Sequence, residues 1–209
     1  MQWVAALVLG YLLGTFPTAD LATRLASRGS SRARINLRTA GSGNPGAANA
    51  AQVLGTKWGL LVLAGDVAKA VLACVVGRRL AGPSAACWAG TSAVVGHCLP
   101  VWTGFRGGKG VACSAGQCGA TFPAYAPIDL FVAYATAKWK RQAFTATAVA
   151  GLAWIGFATL WWAVSWPNLW GPRHVGALPL SAIASTAVIL AKFESARRAA
   201  RRPVGVRLA

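Results

Sequence analysis

The chain has 209 residues, 56% of them hydrophobic and only 12% charged, against about 25% charged residues in a typical soluble domain. That composition excludes a water-soluble globular domain and points to a bilayer. The formal net charge is +17, from 21 Lys and Arg against 4 acidic residues. Most of the basic residues sit in short loops between apolar runs, as the positive-inside rule describes, so anionic lipid or an anionic substrate is expected rather than nucleic acid.

The first apolar run covers about Trp3 to Leu25, long enough to cross a hydrocarbon core of about 30 Å. Nothing basic precedes it, so it reads as a permanent anchor and not as a cleaved signal. Near its exit come Gly14-Thr15-Phe16-Pro17 and Asp20, an irregular stretch. A loop with Arg24, Arg28, Arg32, Arg34 and Arg38 follows, and it leads into Gly41-Ser42-Gly43-Asn44-Pro45-Gly46-Ala47-Ala48-Asn49. Glycine, proline, serine and asparagine at that density spell a loop and not a span, with backbone N–H groups able to turn toward an anion.

A second span runs from about Lys57 to Val76 and carries Asp66 and Lys69 on one helix face. A third, Ser84 to Trp102, ends in Gly96-His97-Cys98-Leu99-Pro100. A second glycine-rich polar loop comes next, Gly104-Phe105-Arg106-Gly107-Gly108-Lys109-Gly110. Val111 to Ala137 is apolar but interrupted by Pro123 and Pro127, which fits a kinked helix or a hairpin. Further spans cover about Ala143 to Trp162 and Val175 to Phe193, before a basic tail. The five cysteines (Cys74, Cys87, Cys98, Cys113, Cys118) form no CxxC pair and lie in apolar surroundings, as small buried hydrophobes do.

Charge parity favours the hairpin. With it, the Arg24–Lys57 loop, Arg106 and Lys109, Lys138 to Arg141 and the tail share the cytoplasmic face, leaving Arg78, Arg79 and Arg173 outside. A single kinked span would divide those basic loops between the two faces. The expectation is an all-α integral membrane protein, one domain over 1–209. It is a compact bundle of about seven transmembrane segments with the N-terminus outside and the C-terminus cytoplasmic. The arms of the hairpin are short, so that pair either spans fully or re-enters.

This topology puts both glycine-rich loops, with Arg38 and Lys109, on one face. Gly107-Gly108-Lys109-Gly110 opens a membrane helix, where free N–H groups and one ammonium make a phosphate site. It is not a Walker A loop, since Thr103 and Gly110 stand at two of its defining positions. His97, beside the second loop, is a candidate base or phosphate ligand. Asp66 and Lys69 are costly in hydrocarbon unless paired or facing a polar cavity. An internal ion pair is the favoured reading, and a polar floor beneath a substrate is the other. Asp129 is expected to cap a helix, and His174, among tryptophans, to sit at the opposite interface. Ser114, Ser165, Ser181 and Ser185 lack a histidine–acid context for a serine hydrolase.

These motifs resemble those of the bacterial acyl-phosphate:glycerol-3-phosphate acyltransferases. Leu37-Arg38 with Gly41 to Asn49 is similar to the family's first motif, and Gly96-His97 to Pro100 with Phe105 to Ala112 to its second. Asp66 to Lys69 matches a short Asp-x-x-Lys element, and Leu12 to Pro17 the opening helix. The resemblance implies a seven-segment enzyme of the bacterial inner membrane. It would move a fatty acyl group from acyl phosphate to the 1-hydroxyl of glycerol 3-phosphate, releasing phosphate and forming lysophosphatidic acid. Arg38, Ser42, Gly43, Asn44, Gly46 and Asn49 would hold glycerol 3-phosphate, while Gly107, Gly108, Lys109 and Gly110 would hold the acyl-phosphate head. Asp66 and Lys69 would give intramembrane polar support, and either His97 or a substrate phosphate oxygen would take the hydroxyl proton. No metal or cofactor is called for. At the third motif, Lys192-Phe193-Glu194-Ser195-Ala196-Arg197-Arg198 keeps the basic residue at Arg198 but has Ser195 in place of an asparagine. A catalytically silent lipid- or anion-binding member is the alternative that this difference leaves open.

Overall fold

The computed structural model describes residues 1–28, 35–140, 142–172 and 174–201, and every regular element among them is helical. Arg32, Arg34, Arg141, Arg173 and the tail beyond Arg201 lie outside the described residues. The helices are α1 (Gln2–Gly14), α2 (Thr18–Ala26), α3 (Ala47–Leu54), α4 (Thr56–Cys98), α5 (Val111–Thr121), α6 (Ala126–Lys140), α7 (Ala143–Val164) and α8 (Ala177–Arg201). A single 3-10 turn, Val101–Thr103, follows α4. Taking α1–α2 as one broken segment and α4 as two arms gives the seven apolar segments expected.

Prolines place the breaks. The residue before a proline is driven from helical toward extended backbone, so α4 stops before Pro100 and α5 before Pro123. The first segment, expected as one run, divides at Phe16-Pro17. There Pro17 (φ −86°, ψ 68°) occupies an inverse γ-turn in which Thr18 N–H donates to Phe16 O at 3.0 Å. The second and third spans are the two arms of α4, and they meet at a non-helical junction where Ala81 (φ −143°, ψ 21°) and Gly82 (φ +83°, ψ −170°) turn the chain ahead of Pro83. Glycine alone adopts that conformation without a Cβ penalty, and the bend folds Gly77 back against Ala85 and Ala89.

The glycine stretch is a loop only as far as Gly46, because Ala47, Ala48 and Asn49 already form the first turn of α3. Asp129 lies inside the first turn of α6 and not ahead of it as a cap. The expected hairpin is present as α5 and α6.

Small residues let the helices approach closely, the main device available where lipid removes any hydrophobic drive between them. A Cβ on Gly14 or Gly10 of α1 would run into backbone of Ala93 or Ala89 on α4. In the interior, Gln117 of α5 donates to Thr91 Oγ1 (3.0 Å) and Cys87 O (3.2 Å) of α4 and accepts from Ser185 Oγ of α8 at 2.7 Å. All four residues are buried, so three helices are tied by a satisfied polar knot.

The connections gather at two ends. At one end, Arg38 bonds Arg106 O, Lys109 covers Phe193, and Phe144 stacks edge-on against Phe193. At the other, Arg78 donates to Trp170 O, and Asn168 Nδ2 to Thr121 O at 2.9 Å. Both glycine loops, the α6–α7 junction and the C-terminal half of α8 therefore share one end, the grouping that the charge pattern requires.

Candidate active site

The cleft lies where the broken first segment meets the two arms of α4. It is lined by Gly14 to Ala19 at the break, Arg38 and Pro45 from the first glycine loop, Gly107 and Gly108 from the second, and Lys69 and His97 from α4. Two loops far apart in sequence thus close on one cavity.

Its floor is organised by Asp66, which is 1% exposed. One oxygen, Oδ1, accepts from Thr18 Oγ1 of α2 at 2.6 Å and lies 2.9 Å from Lys69 Nζ and 3.4 Å from His97 Nδ1. Oδ2 has no partner among the described residues. Lys69 also donates to Phe16 O at 3.2 Å, a carbonyl that the Pro17 turn has freed from the helix ladder. His97 turns Nδ1 toward Asp66 and carries Nε2 beneath Gly108, where any added Cβ would strike the ring. Gly108 N–H in turn donates to His97 O at 3.1 Å. A glycine is needed at 108 because the imidazole occupies the space of a side chain.

Arg38 stands at the rim. Its Nη1 pairs with Asp20 Oδ1 at 2.5 Å and its Nε donates to Arg106 O at 3.0 Å, which holds the guanidinium between the two loops. Asn36 Oδ1 accepts from Arg38 N–H at 2.9 Å, fixing the turn that delivers it.

The remaining first-loop residues divide by role. Asn49, expected to contact ligand, is buried and spent inside the loop. Its Oδ1 accepts from Ser42 N–H at 2.8 Å, and its Nδ2 donates to Leu37 O and Ala40 O, both at 3.0 Å. The amides of Gly43 and Gly46 donate to Ala40 O (3.1 Å) and Asn44 O (2.8 Å), so neither is free for an anion. Ser42 is exposed and Asn44 half-exposed; neither lines the cleft.

In the second loop, Gly107 and Gly108 line the cleft while Lys109 and Gly110 do not. Lys109 lays its ammonium 4.4 Å from the ring centroid of Phe193 on α8, and burial lowers its pKa from the ordinary lysine value. Gly110, at φ +90°, packs against Cys98 and Ile189. No group of three or more His, Cys, Asp or Glu suited to a metal occurs among the described residues.

Comparison with known proteins shows the family of the chain. A family model described as glycerol-3-phosphate acyltransferase matches residues 4–201. The chain belongs to that family. Its relatives include the glycerol-3-phosphate acyltransferase of Anaeromyxobacter dehalogenans strain 2CP-1, 39% identical over 173 residues that cover 79% of this chain and 78% of the relative. That of Pseudomonas aeruginosa is 41% identical over 154 residues, covering 72% and 76%. A crystal structure of PlsY (YgiH), an integral membrane glycerol 3-phosphate acyltransferase in its glycerol 3-phosphate form, superposes with a TM-score of 0.77 at 27% identity, over 95% of this chain and 91% of that one. Its lysophosphatidic acid form gives 0.75.

In this glycerol-3-phosphate acyltransferase relative the C-terminal segment does reach the site end, through Phe193 on Lys109 and Ile189 on Gly110. Ser195, however, turns its hydroxyl back to Lys192 O at 3.0 Å, and Arg197 and Arg198 pair outward with Glu194. Sequence reasoning missed Thr18, Asp20 and the Phe16 carbonyl. Pro17 was the available signal, since a proline break in an apolar run frees a carbonyl that some donor must meet. His174 lies at the opposite end with its Nδ1 2.6 Å from Ser165 Oγ, stacked on Trp162.

Proposed function

We propose that this acyltransferase moves a fatty acyl group from acyl phosphate to the 1-hydroxyl of glycerol 3-phosphate at the cytoplasmic face of a bacterial inner membrane. The products are lysophosphatidic acid and inorganic phosphate. The observation that carries the reading is the joint cleft: two glycine loops, Arg38, Lys69 and His97 converge on one cavity at the membrane end of a fold shared with PlsY. Both substrates are phosphate anions, and the relatives' structures are described with glycerol 3-phosphate and with lysophosphatidic acid.

The chemistry needs little beyond positioning. An acyl phosphate carries its own leaving group, so holding two anions side by side and balancing their charge supplies much of the rate. The 1-hydroxyl oxygen forms the new bond to the acyl carbon. The bond from that carbon to the phosphate oxygen breaks, and phosphate leaves with the electron pair. The hydroxyl proton goes to His97 Nε2, whose partner nitrogen faces Asp66, or to a substrate phosphate oxygen. Arg38 holds the glycerol phosphate from the rim. The Gly107-Gly108 turn, which lines the cleft, faces the acyl-phosphate head. Lys109 and Phe193 brace that second loop.

The test is full-length protein in detergent with acyl phosphate and glycerol 3-phosphate, followed by lysophosphatidate detection. Formation of lysophosphatidate at a rate proportional to enzyme supports the reading. Binding of glycerol 3-phosphate with no turnover would sink it in favour of a silent binding protein, an outcome to which the outward-facing Ser195 and Arg198 lend weight.

A further inference from the structure

We propose that Lys69 is an anion-binding residue of the cleft floor and that Asp66 is the residue that positions it. This inference rests on the reading that the cleft takes a phosphate head group. The simplest account of a lysine and an aspartate three apart inside a membrane helix is a neutral pair that serves packing. Three features of this pair go beyond packing.

Lys69 lines the same cavity as Arg38 and Gly108, although its side chain is only 6% exposed. An ammonium has three donors. One reaches Asp66 Oδ1 at 2.9 Å and one Phe16 O at 3.2 Å, which leaves the third for a ligand. Asp66 also offers that same single oxygen to Thr18 and His97, so its charge is divided among groups from three helical segments and does not cancel Lys69 alone. The geometry of the other cations supports the assignment. Lys109 is engaged with Phe193 and absent from the lining, and Arg38 is partly neutralised by Asp20. A dianionic head group entering the cleft meets Arg38 at the rim and Lys69 at the floor, with His97 between them. Asp66 therefore sets where Lys69 and His97 stand without touching the ligand.

Replacing a buried ion pair by uncharged residues of similar volume is often neutral for stability, whereas removing one partner is not. The informative variant is therefore the double substitution Asp66→Asn with Lys69→Met, compared with wild type as full chain in detergent. The readouts are the thermal midpoint, the affinity for inorganic phosphate and for glycerol 3-phosphate, and KM separately from kcat. The expected result is a thermal midpoint near wild type with at least tenfold weaker phosphate binding and a raised KM. Lys69→Arg, which keeps the charge beside Asp66, should bind more tightly than the double variant. A double variant that melts like wild type and binds phosphate with wild-type affinity overturns the proposal.

A second measurement uses the unmodified protein. Reductive methylation, read residue by residue by mass spectrometry, should slow at Lys69 under saturating phosphate and stay constant at Lys57 and Lys138. Equal rates at Lys69 with and without phosphate overturn the proposal as well. Phosphate binding that depends on Lys69, in a protein that never forms lysophosphatidate, leaves this inference standing and removes the donor–acceptor reading. Wild-type KM in the double variant does the reverse.

Discussion

Arg38 lies in the first glycine loop and Asn49 in the α3 turn that braces it, yet their substitution should fail in different ways. Asn49→Ala strands the buried Leu37 O and takes one partner from Ala40 O and from Ser42 N–H, and a buried group left without its partner costs roughly 1–3 kcal/mol. The expected outcome is a lowered thermal midpoint together with weaker anion binding. Arg38→Ala removes a half-exposed rim cation and should weaken glycerol 3-phosphate binding by about 10-fold or more, the scale of a charge-assisted hydrogen bond, with little change in melting. Lys109 gives a pH test with a definite sign. Because burial lowers its pKa, the ammonium is lost at a lower pH than a solvated lysine's. Any part of anion affinity that depends on it declines as pH rises through that lowered value, and Lys109→Arg, which stays charged, should remove the alkaline decline. The residue types at 38, 49, 66, 69, 97 and 109 were visible in the sequence. Which way each polar group points was not. An asparagine that holds a loop and one that holds a ligand have the same letter, and only the positions of Leu37, Ala40 and Ser42 distinguish them.

The proline-bounded elements were the legible ones. Pro100 and Pro123 each end a helix where the preceding residue cannot stay helical, and the apolar runs around them gave their lengths. The bend at Ala81-Gly82 was less legible, because arginines at 78 and 79 read as a loop although the helix ladder continues almost to the turn. α3 was hidden for a related reason: a glycine-rich loop and a following run of alanines have no boundary in composition. Packing between elements was not readable at all, and it predicts sharply different fates for two glycines. Gly14→Ala drives a methyl group into the backbone of Ala93, which cannot rotate aside, while Gly119→Ala meets nothing within 4 Å. A thermal-melting comparison should show a clear loss for the first and almost none for the second. Gln117→Leu tests the interhelical knot. It removes the bonds to Cys87, Thr91 and Ser185, although Thr91 Oγ1 and Ser185 Oγ keep each other at 3.0 Å, and should destabilise by roughly 1–2 kcal/mol, the scale of interhelical hydrogen bonds in membranes.

At the scale of the molecule, the asymmetry of Lys and Arg sufficed to sort the loops into two groups, since each crossing reverses the side and one wrong segment count inverts every later loop. The structure groups the same loops at common ends, and labelling tests the assignment of those ends to compartments. The native cysteines Cys74, Cys87, Cys98, Cys113 and Cys118 are all buried, so a cysteine introduced at an exposed position reports alone. With an impermeant maleimide on intact cells, Arg79→Cys should label directly, and Thr39→Cys only after the membrane is opened. The reverse pattern would turn the topology over. What charge parity does not carry is depth: the floor of the cleft sits at Asp66 and Lys69, well inside a helix that begins at Thr56, a position set by the close packing of α1 and α2 on α4.

The turn at Phe16-Pro17 has one more consequence. Both residues are exposed on the outside of the bundle, Phe16 by 52%, and both also line the cleft. The cavity therefore opens toward the flank of the bundle at Phe16 and Pro17. A lipid-borne donor arriving by that opening is counted in two dimensions, as moles per mole of lipid, while glycerol 3-phosphate is counted per litre of water. Diluting the donor with inert detergent at constant bulk concentration should slow the reaction; diluting the acceptor's surroundings in the same way should not.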